Sequence, residues 1–251
     1  MKPWTPRWEI IATPRSVMAD VGLVIPAAGR GERLGATDGK ALVPLCGRPL
    51  LAWTLLAFDA FHEIGERVVV TPPGKEALFR ERLAAIQLER DVEYVPGGEE
   101  RQDSVRAGLR ALTAKCRWVL VHDGARPLIH AALVRRVLDV LRSGEAVVPA
   151  LPPRESVARI GFESWVKSYE DRSKLLLVQT PQGFLLPVLE YAFEKADSDR
   201  FHATDEASLV LRANHPVSWI EGDPENVKVT YPQDILFAEA ILMRRNAGLA
   251  T

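Results

Sequence analysis

The chain has 251 residues, 47% hydrophobic and 26% charged, an ordinary globular composition that excludes disorder, collagen and coiled coil and can bury a substantial core. Lys plus Arg number 32 against 33 Asp plus Glu, a net charge of -1, which argues against a nucleic-acid binder held by a basic field but leaves room for a small basic pocket. Cys46 and Cys116 stand alone, without a Cys or His at metal-ligand spacing, so neither a disulfide framework nor a zinc site is expected and a reducing cytoplasm fits best.

Residues 1–18 carry Pro3, Pro6 and Pro14 and no apolar core long enough for a secretory signal, so they read as a disordered N-terminal extension, with Met18 as an alternative start. No later apolar run approaches the roughly 18 to 20 residues that cross a bilayer. From Val21 onward, short apolar runs at 21–25, 68–70, 92–95, 118–121 and 146–150 alternate with helix-period segments, such as Leu133, Val137, Val140 and Leu141 on one face. Strands that are apolar on both faces and separated by helices predict an α/β protein with a mainly parallel twisted sheet covered on both sides. In such sheets the ligand crevice lies beyond the carboxyl ends of the strands. Residues 152–175 break the alternation with β-formers around Gly161. They predict a projecting hairpin arm whose Phe162, Trp165 and Val166 need a covering partner, unless the arm folds back on its own domain. Residues 233–246, with Leu236, Ala240 and Met243 on one face, read as a closing helix.

Residues able to carry chemistry stand just after each run. The first is followed by Pro26-Ala27-Ala28-Gly29-Arg30-Gly31-Glu32-Arg33-Leu34-Gly35, whose small residues let backbone N–H groups approach a phosphate chain. Arg33 among the glycines, and Lys40 after the Asp38-Gly39 turn, suit a triphosphate better than a dinucleotide fold or a Walker loop. A glycine turn with solvated basic residues is the alternative. After the third run, Gly97-Gly98-Glu99-Glu100-Arg101-Gln102-Asp103-Ser104 opens a helix. The Gly-Gly pair allows backbone contact with a flat base, and Ser104 in the first turn either meets a ligand or caps the helix. The fourth run ends in Val121-His122-Asp123-Gly124-Ala125-Arg126-Pro127. A carboxylate at a buried strand tip suits Mg²⁺ shared with substrate phosphates, and Arg126 suits a phosphate. His122 reads as a structural or positioning residue, because a phosphomonoester oxygen is already ionised at neutral pH and needs no base. Further on stand Gln179-Thr180-Pro181-Gln182, then Thr204 as N-cap before Asp205-Glu206, and Asn226-Val227-Lys228-Val229-Thr230, in which Lys228 alternates with valines on a predicted strand.

Taken in order, Pro-Ala-Ala-Gly-x-Gly-x-Arg, Lys40, Gly-Gly-x-x-Arg-x-x-Ser, Val-His-Asp-x-Ala-Arg-Pro, Thr-Pro-Gln, Thr-Asp-Glu-Ala and Asn-x-Lys-Val-Thr closely resemble the 2-C-methyl-D-erythritol 4-phosphate cytidylyltransferases of the non-mevalonate isoprenoid pathway, over about residues 21–244. The resemblance implies a Rossmann-like nucleotidyltransferase domain over residues 19–251, with a dimerisation arm at about 152–175. It also implies a homodimer and Mg²⁺-dependent transfer of CMP from CTP to methylerythritol phosphate, with no nucleic acid or membrane partner. Carried over, Arg33, Lys40 and Lys228 are the catalytic cations, and Pro26, Ala27, Ala28, Gly29, Gly31, Gly98, Glu99, Ser104 and Gly124 hold the nucleotide. Asp123 takes Mg²⁺, other divalent cations being admissible. Arg126, Ser156, Thr180, Thr204 and the neighbouring subunit's Arg172 grip the acceptor. The chain departs from the family pattern at Gly39 and Ala41 around Lys40, at Glu155-Ser156 in place of Asp-Thr, and at Glu99 where Asp is frequent. Ribitol-5-phosphate cytidylyltransferase shares most of these motifs, and Pro-Ala-Ala-Gly favours the first reading. A nucleotide sensor without turnover would not need Arg33, Lys40, Asp123 and Lys228 together.

Overall fold

The computed structural model describes residues 18–29, 31–36 and 38–247; the expected extension over residues 1–18 lies outside them except for Met18. In chain order the strands and helices are β1 Val21–Pro26, β2 Pro44–Leu45, β3 Arg48–Pro49, α1 Leu50–Asp59, β4 Ile64–Thr71, α2 Glu76–Leu83, β5 Glu93–Pro96, α3 Arg101–Ala111, β6 Trp118–Val121, α4 Ala131–Leu141, β7 Ala146–Leu151, β8 Ala158–Ile160, β9 Val166–Tyr169, β10 Leu177–Val178, β11 Gln182–Leu185, α5 Leu186–Asp199, α6 Glu206–Arg212, β12 Ser218–Glu221 and α7 Pro232–Asn246. The five apolar runs became β1, β4, β5, β6 and β7.

These strands build one eight-stranded sheet in the order β10-β7-β11-β6-β1-β4-β5, with β12 also pairing with β7. The β6-β1-β4-β5 block is parallel, as is β12 on β7. β11 runs antiparallel between β6 and β7. Neither β11 nor β12 was predicted, because Gln182 and Gly183 interrupt the apolar pattern of one and Trp219 of the other stands exposed at the sheet edge. β10 and β11 both pair with β7, yet Leu177 and Val178 face Leu151 and Ala150 while Gly183 and Phe184 face Val147 and Ala146. Four residues, 179–182, thus span what two cover on β7. This bulge carries the Thr180–Pro181 peptide, which is cis.

Helices α1, α2 and α4 cover one face of the sheet with Leu51, Leu55, Phe58, Phe79, Val134 and Val137. The other face is covered by α3, α5 and α6, through Val105, Leu109, Leu189, Phe193 and Val210. Both faces being sealed explains why β1 and β6, at the centre of the sheet, are apolar throughout. α3 lies so close to the sheet that a Cβ on Gly108 would come within 2.4 Å of Val24 Cγ1, so only glycine fits there. α7 packs through Ala238, Ile241 and Leu242 against Leu45, Leu128 and Val229. The predicted stripe of Leu236, Ala240 and Met243 is instead solvent-facing, since helical spacing offered two apolar stripes and the second meets the core.

The structure departs from the sequence expectation at two local points. Residues 226–230 form no ladder; Val229 N–H donates to the Ala125 carbonyl at 2.9 Å and the rest is irregular. The alternation still sorts the side chains, with Val229 fully buried and Lys228 turned out. The N-cap of α6 is Asp205, whose Oδ1 accepts from Ser208 N–H at 3.1 Å, and not Thr204, one residue too early and exposed. The arm is present as a β8-β9 antiparallel hairpin. Its Ile160, Phe162, Trp165 and Tyr169 are 85%, 83%, 76% and 72% exposed, so the arm does not fold back on its own chain.

Candidate active site

At the carboxyl ends of β1, β5 and β6 the sheet opens into a cleft of about 810 Å³, within the range of small-molecule sites. Its first wall is the turn after β1. Gly31 has φ +78°, and its missing side chain leaves space for Lys40, whose Cα would lie 3.0 Å from an added Cβ. The Lys40 N–H donates to the Gly29 carbonyl at 3.1 Å, folding the loop back on itself, and Ala27 N–H donates to the Val70 carbonyl of β4 at 2.7 Å, so that Arg33 and Lys40 are presented to the cleft. The Arg33 guanidinium lies 5.4 Å from the centre of the Tyr231 ring, within cation–π range. Lys40 Nζ donates to Thr230 Oγ1 at 3.4 Å.

The second wall is the entry to α3. Glu100 is the N-cap, and Ser104 is the fourth helical residue, where its hydroxyl donates to the Glu100 carbonyl and accepts from Gly98 N–H at 3.3 Å. Ser104 therefore holds the Gly97-Gly98 turn in place and is not the cap. Glu99 stands exposed at the lip.

The third wall is the exit of β6. The Asp123 carboxylate is buried, with side-chain exposure of only 9%, and three cations converge on it. Lys228 Nζ is 2.9 Å from Oδ2, Arg101 Nη2 3.3 Å from Oδ1, and Arg126 Nε 3.5 Å from Oδ2. Burial alone would raise the pKa of Asp123, but Lys228, Arg101 and Arg126 hold its carboxyl far below the usual carboxylate range. Arg101 also pairs with buried Glu206 at 2.6 Å, and these two carboxylates raise its pKa against the effect of burial. Burial, helped by repulsion from Lys228, pushes Lys40 down to about 8.

Behind the cleft, His122 is fully buried, and burial pushes its pKa down to about 4, so it is neutral at physiological pH. Its Nε2 faces the Arg126 carbonyl at 3.2 Å, which requires the proton on Nε2. Nδ1 then accepts from the Thr180 hydroxyl at 3.0 Å, and Thr180 Oγ1 accepts from Asp123 N–H at 3.1 Å. Both ring nitrogens of His122 are thus engaged, which leaves none free for acid–base work.

The structure brings the predicted catalytic and nucleotide residues into one cleft: Pro26, Ala27, Ala28, Gly29, Gly31, Arg33, Lys40, Gly98, Glu99, Ser104, Asp123, Gly124 and Lys228 all line it. Arg126 joins through Asp123 and through Nη1, which donates to the Asn226 carbonyl at 2.7 Å. Thr180 sits buried behind Asp123. Ser156, Arg172 and Thr204 are exposed and do not line the cleft; Arg172 Nη1 donates to the Arg154 carbonyl at 2.8 Å, closing the base of the arm. Sequence reasoning gave no role to Arg101 or Thr230, both of which line the cleft. Arg101 stood inside the Gly-Gly-x-x-Arg motif, where only its later contact with Asp123 marks it out.

A family model described as 2-C-methyl-D-erythritol 4-phosphate cytidylyltransferase matches residues 21–244. The enzyme of that name from Prochlorococcus marinus (strain MIT 9313) is 40% identical over 223 residues, covering 89% of this chain and 98% of the relative. The one from Pelotomaculum thermopropionicum is 38% identical over 237 residues, covering 93% and 98%. Among solved structures, the crystal structure of the cytidylyltransferase from Thermus thermophilus aligns with a TM-score of 0.73 at 36% identity, covering 89% of this chain and 99% of that one. The 4-diphosphocytidyl-2C-methyl-D-erythritol synthase from Anaerococcus prevotii aligns with a TM-score of 0.77 at 29% identity, covering 89% and 98%. With the motifs falling around a single cleft and a match over nearly all the described residues, the chain belongs to the 2-C-methyl-D-erythritol 4-phosphate cytidylyltransferase family.

Proposed function

We propose that this chain transfers CMP from CTP to 2-C-methyl-D-erythritol 4-phosphate, giving 4-diphosphocytidyl-2-C-methyl-D-erythritol and pyrophosphate. The observation that carries the reading is the convergence of Lys40, Lys228 and Asp123 on one cleft walled by a glycine-rich turn. An acceptor phosphate oxygen attacks the α-phosphorus in line; the bond to the bridging oxygen breaks, and pyrophosphate leaves with the electron pair. The nucleophile is already ionised, so the protein orients the groups and stabilises charge without a base or covalent intermediate.

In this reading the backbone of Pro26, Ala27, Ala28, Gly29 and Gly31 cradles the phosphates. Gly98, Glu99 and Gly124 flank the cytidine, and Arg33, Lys40 and Lys228 stabilise charge on the transferring group. Ser104 acts through Gly98. A single buried carboxylate, Asp123, fits Mg²⁺, because this ion is commonly held by one or two carboxylates with substrate phosphates completing its shell; among the described residues there is no cluster of three acidic, His or Cys side chains that would hold a metal unaided. Mg²⁺ bound there supplies neutralisation of the phosphate charge. Arg126, Thr180, Thr204 and Ser156 serve the acceptor side, and the partner's arm completes it with Arg172.

The exposed apolar arm supports a homodimer, and residues 19–251 act as one domain with this arm at about 152–175. No helix among the described residues is long and apolar enough to cross a membrane, and both cysteines are free, which supports a reducing cytoplasm. The test is pyrophosphate release from CTP and Mg²⁺ with methylerythritol phosphate or ribitol 5-phosphate at equal concentration. Faster turnover of the former is expected; faster turnover of ribitol 5-phosphate would overturn the assignment.

A further inference from the structure

We propose that His122 and Asn226 are positioning residues for this transfer, closing with Thr180 and Arg126 a hydrogen-bonded ring that locks the Asp123 loop to the loop carrying Lys228. The ring runs in one direction. His122 Nε2–H donates to the Arg126 carbonyl at 3.2 Å, Arg126 Nη1–H to the Asn226 carbonyl at 2.7 Å, Asn226 Nδ2–H to the Thr180 carbonyl at 2.7 Å, and Thr180 Oγ1–H to His122 Nδ1 at 3.0 Å. His122 and Asn226 have no exposed surface at all, and Thr180 retains 5%. Opening the link from Asn226 to Thr180 or from Thr180 to His122 therefore strands a donor and an acceptor away from water.

The ring joins the exit of β6, the bulge between β10 and β11, and the irregular segment 226–230. These carry Asp123, Thr180 and Lys228. Val229 N–H on the Ala125 carbonyl adds a second tie between the first and third. His122 and Asn226 do not line the cleft, so any effect on the reaction passes through the groups they hold. Charge placed at a transferring phosphate is sensitive to small displacements, and an error of about 1 Å costs on the order of 10²-fold in rate. Pro26, Ala27, Ala28, Gly29 and Gly31 of the nucleotide cradle are not members of the ring, so nucleotide affinity should change less than turnover.

The inference rests on the cytidylyl transfer reading, and the experiment separates the two. His122→Phe keeps an aromatic ring against Phe58, which now lies 5.0 Å away edge-on. Asn226→Ala opens the ring at a different link. Both proteins are checked by circular dichroism and melting, then assayed beside the unaltered chain with CTP, Mg²⁺ and methylerythritol phosphate. We expect kcat to fall by about 10- to 100-fold in each, with KM for CTP within about threefold. The double variant should lose no more than the worse single one, since one opened link already releases the ring. His122→Gln, whose amide reaches the Arg126 carbonyl, should recover part of kcat. A folded variant with kcat within about threefold of the unaltered chain, or additive losses in the double variant, would overturn the positioning role. Failure of both variants to fold would make the ring scaffold alone and overturn it equally. An inactive unaltered chain would instead overturn the reaction, and the ring's role with it.

Discussion

Lys228 Nζ stands 2.9 Å from Asp123 Oδ2, joining the tip of a central strand to a loop that arrives just before the last helix. A lysine there neutralises the carboxylate in the free protein and remains beside it to meet incoming phosphate. Removing either charge alters the field at the reacting phosphorus. Asp123→Asn, Lys228→Gln and Lys40→Ala are each expected to lower kcat by about 10²- to 10³-fold, measured by pyrophosphate release. Near-normal rates in Lys40→Ala and Asp123→Asn together would sink the charge-stabilisation mechanism.

Lys40 titrates within the working range of the assay. With its pKa lowered to about 8 by burial and by Lys228, the free protein loses this charge as pH rises past that value. kcat/KM for CTP, which reports the free enzyme, should therefore be level below about pH 8 and decline above it. Lys40→Arg, if it keeps activity, should remove the decline. A wild-type profile level to about pH 9.5 would show that this charge is not used in capture.

His122 makes an acid-side prediction with the opposite exposure to assay conditions. Its folded value of about 4 lies below the unfolded 6.5, so between these limits the unfolded chain holds the extra proton and stability rises with pH. The contribution is complete above 6.5 and lost progressively as pH falls to about 4. The melting temperature of wild type should therefore fall through this window more steeply than that of His122→Gln. The ¹⁵N shifts of the His122 ring should meanwhile stay those of the Nε2–H tautomer down to about pH 5. A His122 that titrates near its ordinary value would contradict its place in the interior.

The arm predicts an oligomer with shared sites. Phe162→Ser and Trp165→Ser remove the largest exposed apolar surface of the hairpin while leaving its ladder intact, and the double variant should sediment as a monomer. Chains carrying Arg172→Ala mixed with chains disabled at Lys40 should regain part of the activity through mixed dimers. No recovery would mean that each site is complete within one chain.

Much of the fold was legible because burial on both faces of a parallel sheet leaves a plain mark, an unbroken apolar run such as 21–25 or 118–121. β11 left no such mark, since Gln182 spends its amide on Asp205 Oδ2 and Ala207 N–H while Gly183 lets α4 approach. The candidate site was legible where residue type alone limits the chemistry, as at Lys40, Asp123 and Lys228. It was opaque where a role depends on a distant partner. Arg101 looks like any exposed helical arginine until Asp123 and Glu206 meet it, and Asn226 looks like a turn residue until Thr180 accepts its amide proton. Thr204 was misplaced by one residue because Thr and Asp are both good caps, and only the backbone path decides which of them reaches Ser208.

The antiparallel entry of β11 beside β6 also sets an order of events along the chain. Residues 21–126 supply the nucleotide turn and the acidic strand tip, but Thr180 and the 226–230 segment come from the last third. During synthesis, the strands of residues 21–121 can pair early, yet Asp123 acquires Lys228 only after a further hundred or so residues have been made. Catalytic competence is thus withheld until the 226–230 segment has been made, and a product cut short before residue 226 would carry half a cleft and no transferase.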